Sequence, residues 1–441
     1  MKANILMRSL LATLLLLLLA TVHAALAGPA IQHWTTENGL RVYFVPADEL
    51  PMIDIRVTFA AGSARDGAQP GVAALTSRML TQGAGGLSAD QIAQAFEDVG
   101  ASIGTGALRD MSWLSLRSLS DPTYLEPALE AFTHVLWQPD FPQADFVRSQ
   151  NQTLLGIKAA EASPGKIASK AFYKALYGDH PYATPIQGTK ASVEALTTDD
   201  LKAFHQRYFV ARNGVLAITG NLSRSDAEKL AERLSSGLKK GEPAPATPKV
   251  PALKEAKEIR IPFPSRQAHV YMGQPGIERG NPDYYPLYLG NHILGGGGFT
   301  SRLVKEVRSK RGYVYSIYSY FLLMAAQGPY QIAMQTRGSQ VDDAIKVSRE
   351  TLKQFITDGA DNEEIIASKK NITGSFPLRI ASNGDIVEYL AVIGFYKLPL
   401  DYLDTFTQHI EAVTAEQITD AFKRHVHPDQ MVTVIVGGDK E

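Results

Sequence analysis

The chain predicts an α+β fold built twice, as two homologous domains that each pack helices on a mostly antiparallel sheet. Three observations carry this. Short β-branched and aromatic runs alternate with segments of helical spacing. A stretch near the middle returns near the end: "TTDDLKAFHQRYFVARNGVLAITG", Thr197 to Gly220, lies over "TAEQITDAFKRHVHPDQMVTVIVG", Thr414 to Gly437, without a gap at an offset of 217 residues. Thr197 meets Thr414, Arg207 meets Arg424, Val215 meets Val432 and Gly220 meets Gly437. Each copy reads as a polar-started helix, a turn and an apolar strand, and each closes one half of the chain. Between the halves, "KKGEPAPATPKVPALKEAKE" holds four prolines and no apolar periodicity, which marks a linker over 239–258. The expected domains are therefore 28–238 and 259–441.

In order along the chain, "GLRVYFVPA" and "MIDIRVTFAAGS" are bounded by Pro, Gly and Asp and read as strands. "GVAALTSRMLTQG" has helical spacing and stops at Gly83. "SADQIAQAFEDVGA" is an amphipathic helix capped by Ser88 and Asp90 and ended at Gly100. "SWLSLRSL" alternates as a strand, and "YLEPALEAFTHVLWQPDF" is helical again.

Composition narrows the functional classes. Of 441 residues, 45% are hydrophobic and 20% charged, and 44 basic residues balance 45 acidic ones to a net charge of -1. No single-sign field points to nucleic acid or an anionic membrane as partner. The N-terminus departs from this average. Lys2 and Arg8 precede an apolar run from Ser9 to Val22, followed by "HAALAG". That is the pattern of a secretory signal peptide over 1–27, cleaved after Ala24 or Ala27. The run is shorter than the roughly 20 apolar residues a membrane span requires, so no anchor is expected after cleavage. With no Cys in the chain, neither a lipidated thiol nor a disulfide is available, and the bacterial periplasm is the expected compartment.

The chemistry-bearing stretch is "GVAALTSRML", Gly71 to Leu80. Zinc hydrolysis needs about three protein ligands, an open position for water and a general base beside it. Two His at i and i+4 with a Glu before the second, H-x-x-E-H, supply most of that from one helix face. With "ENGLRVYFVPADELPMIDIRVTFAAGSARD" before it and "GDHPYATPIQG" after, this stretch resembles the N-terminal domain of the pitrilysin/insulinase family of zinc peptidases. "HILGGGGFTSRLVKEVRSKRGYVYSIYS" resembles the C-terminal domain of the same family, so the likeness spans nearly all of the chain after the signal.

Carried over position by position, the resemblance meets a vacated site. Ala74 stands at the first His position, Ser77 at the Glu position and Arg78 at the second His position. The family's third ligand is a Glu on a later helix resembling "RSQNQTLLGIKAAE", where the alignment places Gly156; Glu161 is the nearest acidic alternative. No metal and no other cofactor is expected in this chain. Read as residues, Ala74 packs, Ser77 is a neutral helix residue, and Arg78 lies on a wet face, pairs with a carboxylate, or puts its guanidinium where the cation would be. His425 and His427 form an H-x-H at a helix–strand turn with no further ligand in view, and His180 in "HPY" reads as a turn residue.

The second half keeps what the first half lost. Working family members carry an Arg and a Tyr seven residues apart in a motif like R-E-K-R-G-L-A-Y. This chain reads "RSKRGYVY" after "GGGGFTSRL", giving Arg308 and Tyr315. A phenol and a guanidinium placed in advance stabilise the oxyanion formed when hydroxide adds to a peptide carbonyl. By composition alone, "KEVRSKRG" is also a solvated cationic helix end and "YVYSIYSY" an aromatic core strand; the spacing, the Gly-rich lead-in and the following strand favour the functional reading. "LGGGGF" lacks the Lys-Ser or Lys-Thr of a phosphate loop.

In the family, some bacterial and the mitochondrial peptidases divide the work between two chains that close like a clamshell. The resemblance therefore implies a chain inactive alone, half of such a clamshell. Arg308 and Tyr315 would serve a peptide substrate in the site of a zinc-bearing partner with an intact H-x-x-E-H. The competing expectations are a peptide-binding, chaperone-like module and a purely structural subunit.

Overall fold

The computed structural model describes residues 30–438; the expected signal segment, 1–27, lies outside them. The first sheet has six strands in the order β1-β2-β8-β3-β7-β6. These are β1 (Gln32–Thr35), β2 (Arg41–Pro46), β3 (Met52–Phe59), β6 (Ser102–Ala107), β7 (Ser112–Leu119) and β8 (Gly214–Gly220), with β4 (Gly83–Ala84) and β5 (Leu87–Ser88) forming a separate ribbon. The second sheet runs β11-β12-β10-β13-β9, from β9 (Lys257–Ile261), β10 (Gln267–Pro275), β11 (Val314–Phe321), β12 (Pro329–Arg337) and β13 (Val432–Gly437). Read from the other end, β9-β13-β10-β12-β11 repeats β2-β8-β3-β7-β6. In each sheet one pair is parallel, β2 with β8 and β9 with β13, and the neighbouring pairs are antiparallel. The α+β class and the doubled architecture hold.

The internal repeat falls on the parallel-paired strand and the helix before it. Those helices, Thr198–Tyr208 and Ala415–His425, start from Thr197 and Thr414, and each Thr closes a reciprocal capping box with the residue three positions on. Their strands β8 and β13 are buried along nearly their whole length, as the continuous apolar runs require. The proline-rich segment is free of helix and strand from Lys239 to Ala256, and β9 begins at Lys257, slightly inside the expected 239–258 stretch.

Two helices are exchanged between the halves. We label α1 (Val72–Met79), α2 (Gln143–Glu161), α3 (Pro164–Tyr177) and α4 (Asn383–Tyr396). Helix α3 belongs to the first half in sequence, yet Phe172 and Tyr173 pack with Val432, Val434 and Val436 on the second sheet. Helix α4 returns the exchange, with Leu390 and Ile393 against Tyr43, Val45, Val215 and Ala217 on the first sheet. Gly394 permits the close approach: a Cβ there would stand 2.6 Å from both Tyr43 and Val215. Each sheet is thus covered on one face by its own half and on the other by a helix of the opposite half.

Candidate functional site

Helix α1 is entered through Gly71, whose φ of 99° and approach to the Gln187 carbonyl suit only a residue without a side chain. The Asp66 carboxylate caps the entry from outside the helix, accepting from the Gly71 N–H at 2.7 Å and the Ala73 N–H at 3.0 Å. Burial pushes Asp66 up from the usual carboxylate value to about 7, against the pull of those two donors. The helix on which the resemblance places the metal positions is therefore well formed.

Its ligand positions carry no donor set. Ala74 is half-buried, Ser77 is 1% exposed with its hydroxyl lacking a partner among the described residues, and Arg78 is exposed on the wet face. Helix α2 packs across α1 and brings Gly156 to the Gln187 side chain, whose Oε1 lies 4.0 Å from where a Cβ would stand. Glu161, at the exposed end of α2, is one carboxylate without the imidazoles zinc would need. Among the described residues, no three His, Asp or Glu side chains are grouped so that they could hold a metal ion. Zinc does not fit this constellation.

The histidines singled out in the sequence have structural partners. His425 meets the Asp283 carboxylate at 2.6 Å, beside Arg424 on the same group, and His427 gives its backbone N–H to Gln274. His180 is buried, accepts from the Tyr182 N–H and reaches the Pro248 carbonyl at 2.9 Å.

Arg308 and Tyr315 are brought together. Arg308 sits in a π-helical turn, Val304–Ser309, in which Lys310 N–H donates to the Lys305 carbonyl at 3.0 Å. Wide turns of this kind displace side chains from helical register and recur at functional sites. Tyr315 sits at a β-bulge in edge strand β11, where the register with β12 shifts between Val314 and Ser316. The bulge turns Tyr315 out of the strand's alternation, leaving it 81% exposed. The Arg308 guanidinium carbon lies 5.5 Å from the Tyr315 ring centroid and 4.9 Å from that of Phe299. Phe299, the last letter of "LGGGGF", is 77% exposed. Its part in the cluster was hidden in the sequence because only its place after the glycines, not its contact, could be read.

A second feature escaped the sequence. Asp110, buried in the turn between β6 and β7, accepts from the Tyr182 and Tyr396 hydroxyls and from the Ala325 N–H at 2.7 Å. Tyr396 and Ala325 belong to the second half, so one carboxylate joins the two halves. Burial holds the Tyr182 and Tyr396 phenols well above their usual range, so they act as donors.

Residues 47–190 match the family model described as insulinase (peptidase family M16), and residues 195–372 match the model described as the peptidase M16 inactive domain. A solved structure described as a peptidase M16 inactive domain, from Pseudomonas fluorescens, is 43% identical, covers 93% of this chain and 98% of its own, and superposes with a TM-score of 0.90. A Helicobacter pylori protein named non-peptidase homolog YmxG is 26% identical over 97% of this chain and 99% of its own length. A Bacillus subtilis protein named uncharacterized zinc protease YmxG is 25% identical over 92% and 98%.

Proposed function

The chain belongs to the M16 insulinase family of peptidases, and on that premise we propose that it is the catalytically incomplete subunit of a heteromeric zinc endopeptidase. Its partner is a zinc-bearing M16 homologue with an intact H-x-x-E-H, the two closing as a clamshell around a peptide substrate. The N-terminal segment supports export to the periplasm. Among the described residues, no helix is long and apolar enough to cross a membrane.

One observation carries the reading: the expected metal positions hold no ligands while a half-buried Arg308 stands beside an exposed Tyr315. A chain that had drifted into a purely structural role gains nothing from holding a phenol in water at a bulge. Supplied to a partner's site, the phenol and guanidinium would donate to the developing oxyanion, an interaction stronger in the transition state than in the bound substrate.

The test is a steady-state assay of the reconstituted two-chain complex, beside a titration of subunit assembly. Tyr315→Phe removes one donor, and losing such a donor typically costs about 10²–10³ in turnover. The fall is expected in kcat rather than KM. Arg308→Lys is expected to be damaging too, because an ammonium does not reproduce the planar fork. If both variants assemble normally and keep full turnover, the pair is a bystander and a chaperone-like or structural subunit is the better account.

A further inference from the structure

We propose that Phe299, Arg308 and Tyr315 form a receptor for a carboxylate carried by an extended peptide, either its C-terminus or an Asp or Glu side chain. In it, Phe299 is the positioning residue that holds the Arg308 guanidinium. The inference rests on the reading that this cluster meets peptide, and adds the chemistry it selects.

The first ground is the state of Arg308. Its acidic neighbour Glu306 is already shared by Lys310 at 2.6 Å and Arg311 at 2.9 Å. Among the described residues Arg308 has no ion pair, so a half-buried guanidinium is left to two ring faces. Ring faces attract the charge but accept few of its N–H donors, so the fork remains available to an oxygen anion. The second ground is charge. Residues 305–311, "KEVRSKR", hold four basic residues and one acidic one, and the local field favours an anionic ligand over a neutral carbonyl.

The third ground is exposure. Phe299 and Tyr315 are the most exposed large apolar side chains among the described residues, and they flank the same guanidinium. Isolated exposed rings are ordinary; two of them clasping an unpaired cation mark a recognition surface. Gly298, with φ of 64°, makes the turn that presents Phe299, and the bulge presents Tyr315. A carboxylate accepted by the fork would form a charge-assisted bond beside the two rings. No metal takes part.

The experiment uses the isolated, metal-free chain and dye-labelled peptides of one Ala- and Ser-rich sequence, read by fluorescence anisotropy. One pair differs by a free or amidated C-terminus, and a second pair by Asp or Asn at an internal position. Whichever carboxylate is the source, neutralising it is expected to weaken binding about tenfold or more, the worth of a hydrogen bond to a charged group. Arg308→Gln should abolish the discrimination. Phe299→Leu should lose most of it at unchanged melting temperature, and Phe299→Tyr, which restores a ring face, should recover it. Equal affinity for acid and neutral peptides in both pairs would overturn the proposal, as would full discrimination in Phe299→Leu. If discrimination is absent while Tyr315→Phe still lowers kcat in the complex, the carboxylate receptor fails and the catalytic reading stands.

Discussion

At the scale of single residues, the expected metal positions Ala74, Ser77 and Arg78 lie on a well-formed helix without ligands, and that reading can be tested by building a site there. The purified chain is expected to keep no stoichiometric zinc after dialysis. Ala74→His, Ser77→Glu and Arg78→His together restore the helix ligands and base but leave two imidazoles to hold the ion. Gly156→Glu supplies a third ligand in open space, since a Cβ there meets only Gln187 Oε1 at 4.0 Å. The fourfold variant should bind zinc more tightly than the triple one, by at least the factor of about 10–100 that loss of a mere outer-shell partner costs, since it gains a ligand itself. Metal analysis decides this. One tightly held zinc in the triple variant would show that Gly156 does not occupy the third-ligand position. Stability should fall in both variants, because Ser77 is 1% exposed and a Glu there is a carboxylate in a nearly dry position.

At the scale of elements, the sequence was most legible where local chemistry decides. The caps at Ser88, Thr197 and Thr414, the alternation of β7 and the burial of β8 and β13 all follow from residue order. The bulge at Tyr315 was not legible, because it depends on pairing with β12 rather than on the strand's own letters. Nor was the capping of α1 by Asp66, which reaches back across a turn instead of occupying the usual N-cap position. That cap yields a pH prediction. A carboxyl raised to about 7 in the fold binds its proton more tightly there than in the unfolded chain. Its contribution is therefore complete at low pH and is lost as pH rises through the window between the unfolded value and about 7. Within it, unfolding free energy should decline by up to about 1.4 kcal/mol per pH unit. Asp66→Asn, which keeps a carbonyl acceptor for the α1 amides, should flatten that part of the profile in denaturant titrations. An unchanged slope in the variant would assign the pH dependence elsewhere.

At the scale of the molecule, the sequence divides at a proline-rich linker, but packing does not. Two related halves were readable because their strands and helices repeat; their exchange of α3 and α4 was not, because a helix carries no local mark of which sheet it will cover. The exchange has an energetic consequence. Without α3, the second half would expose Val432, Val434, Val436 and Tyr271, and without α4 the first would expose Tyr43, Val45, Val215 and Ala217. Each of the valines among them is worth about 1.5–3 kcal/mol on full burial, so either loss takes a large share of the roughly 5–15 kcal/mol that holds a typical domain together. The Asp110 carboxylate would also lose Tyr396 and the Ala325 N–H. Residues 30–256 and 257–438, expressed separately, are therefore expected to be insoluble or to unfold without cooperativity, whereas co-expressed they should reassemble. The intact chain should unfold in one transition, with fluorescence probes placed in either half giving coincident curves. In the intact chain, Asp110→Asn should lower stability by about 1–3 kcal/mol while the curves stay coincident. Two separated transitions, or a soluble half with its own sharp melt, would mean that the exchanged helices are appendages and each sheet is closed by its own half.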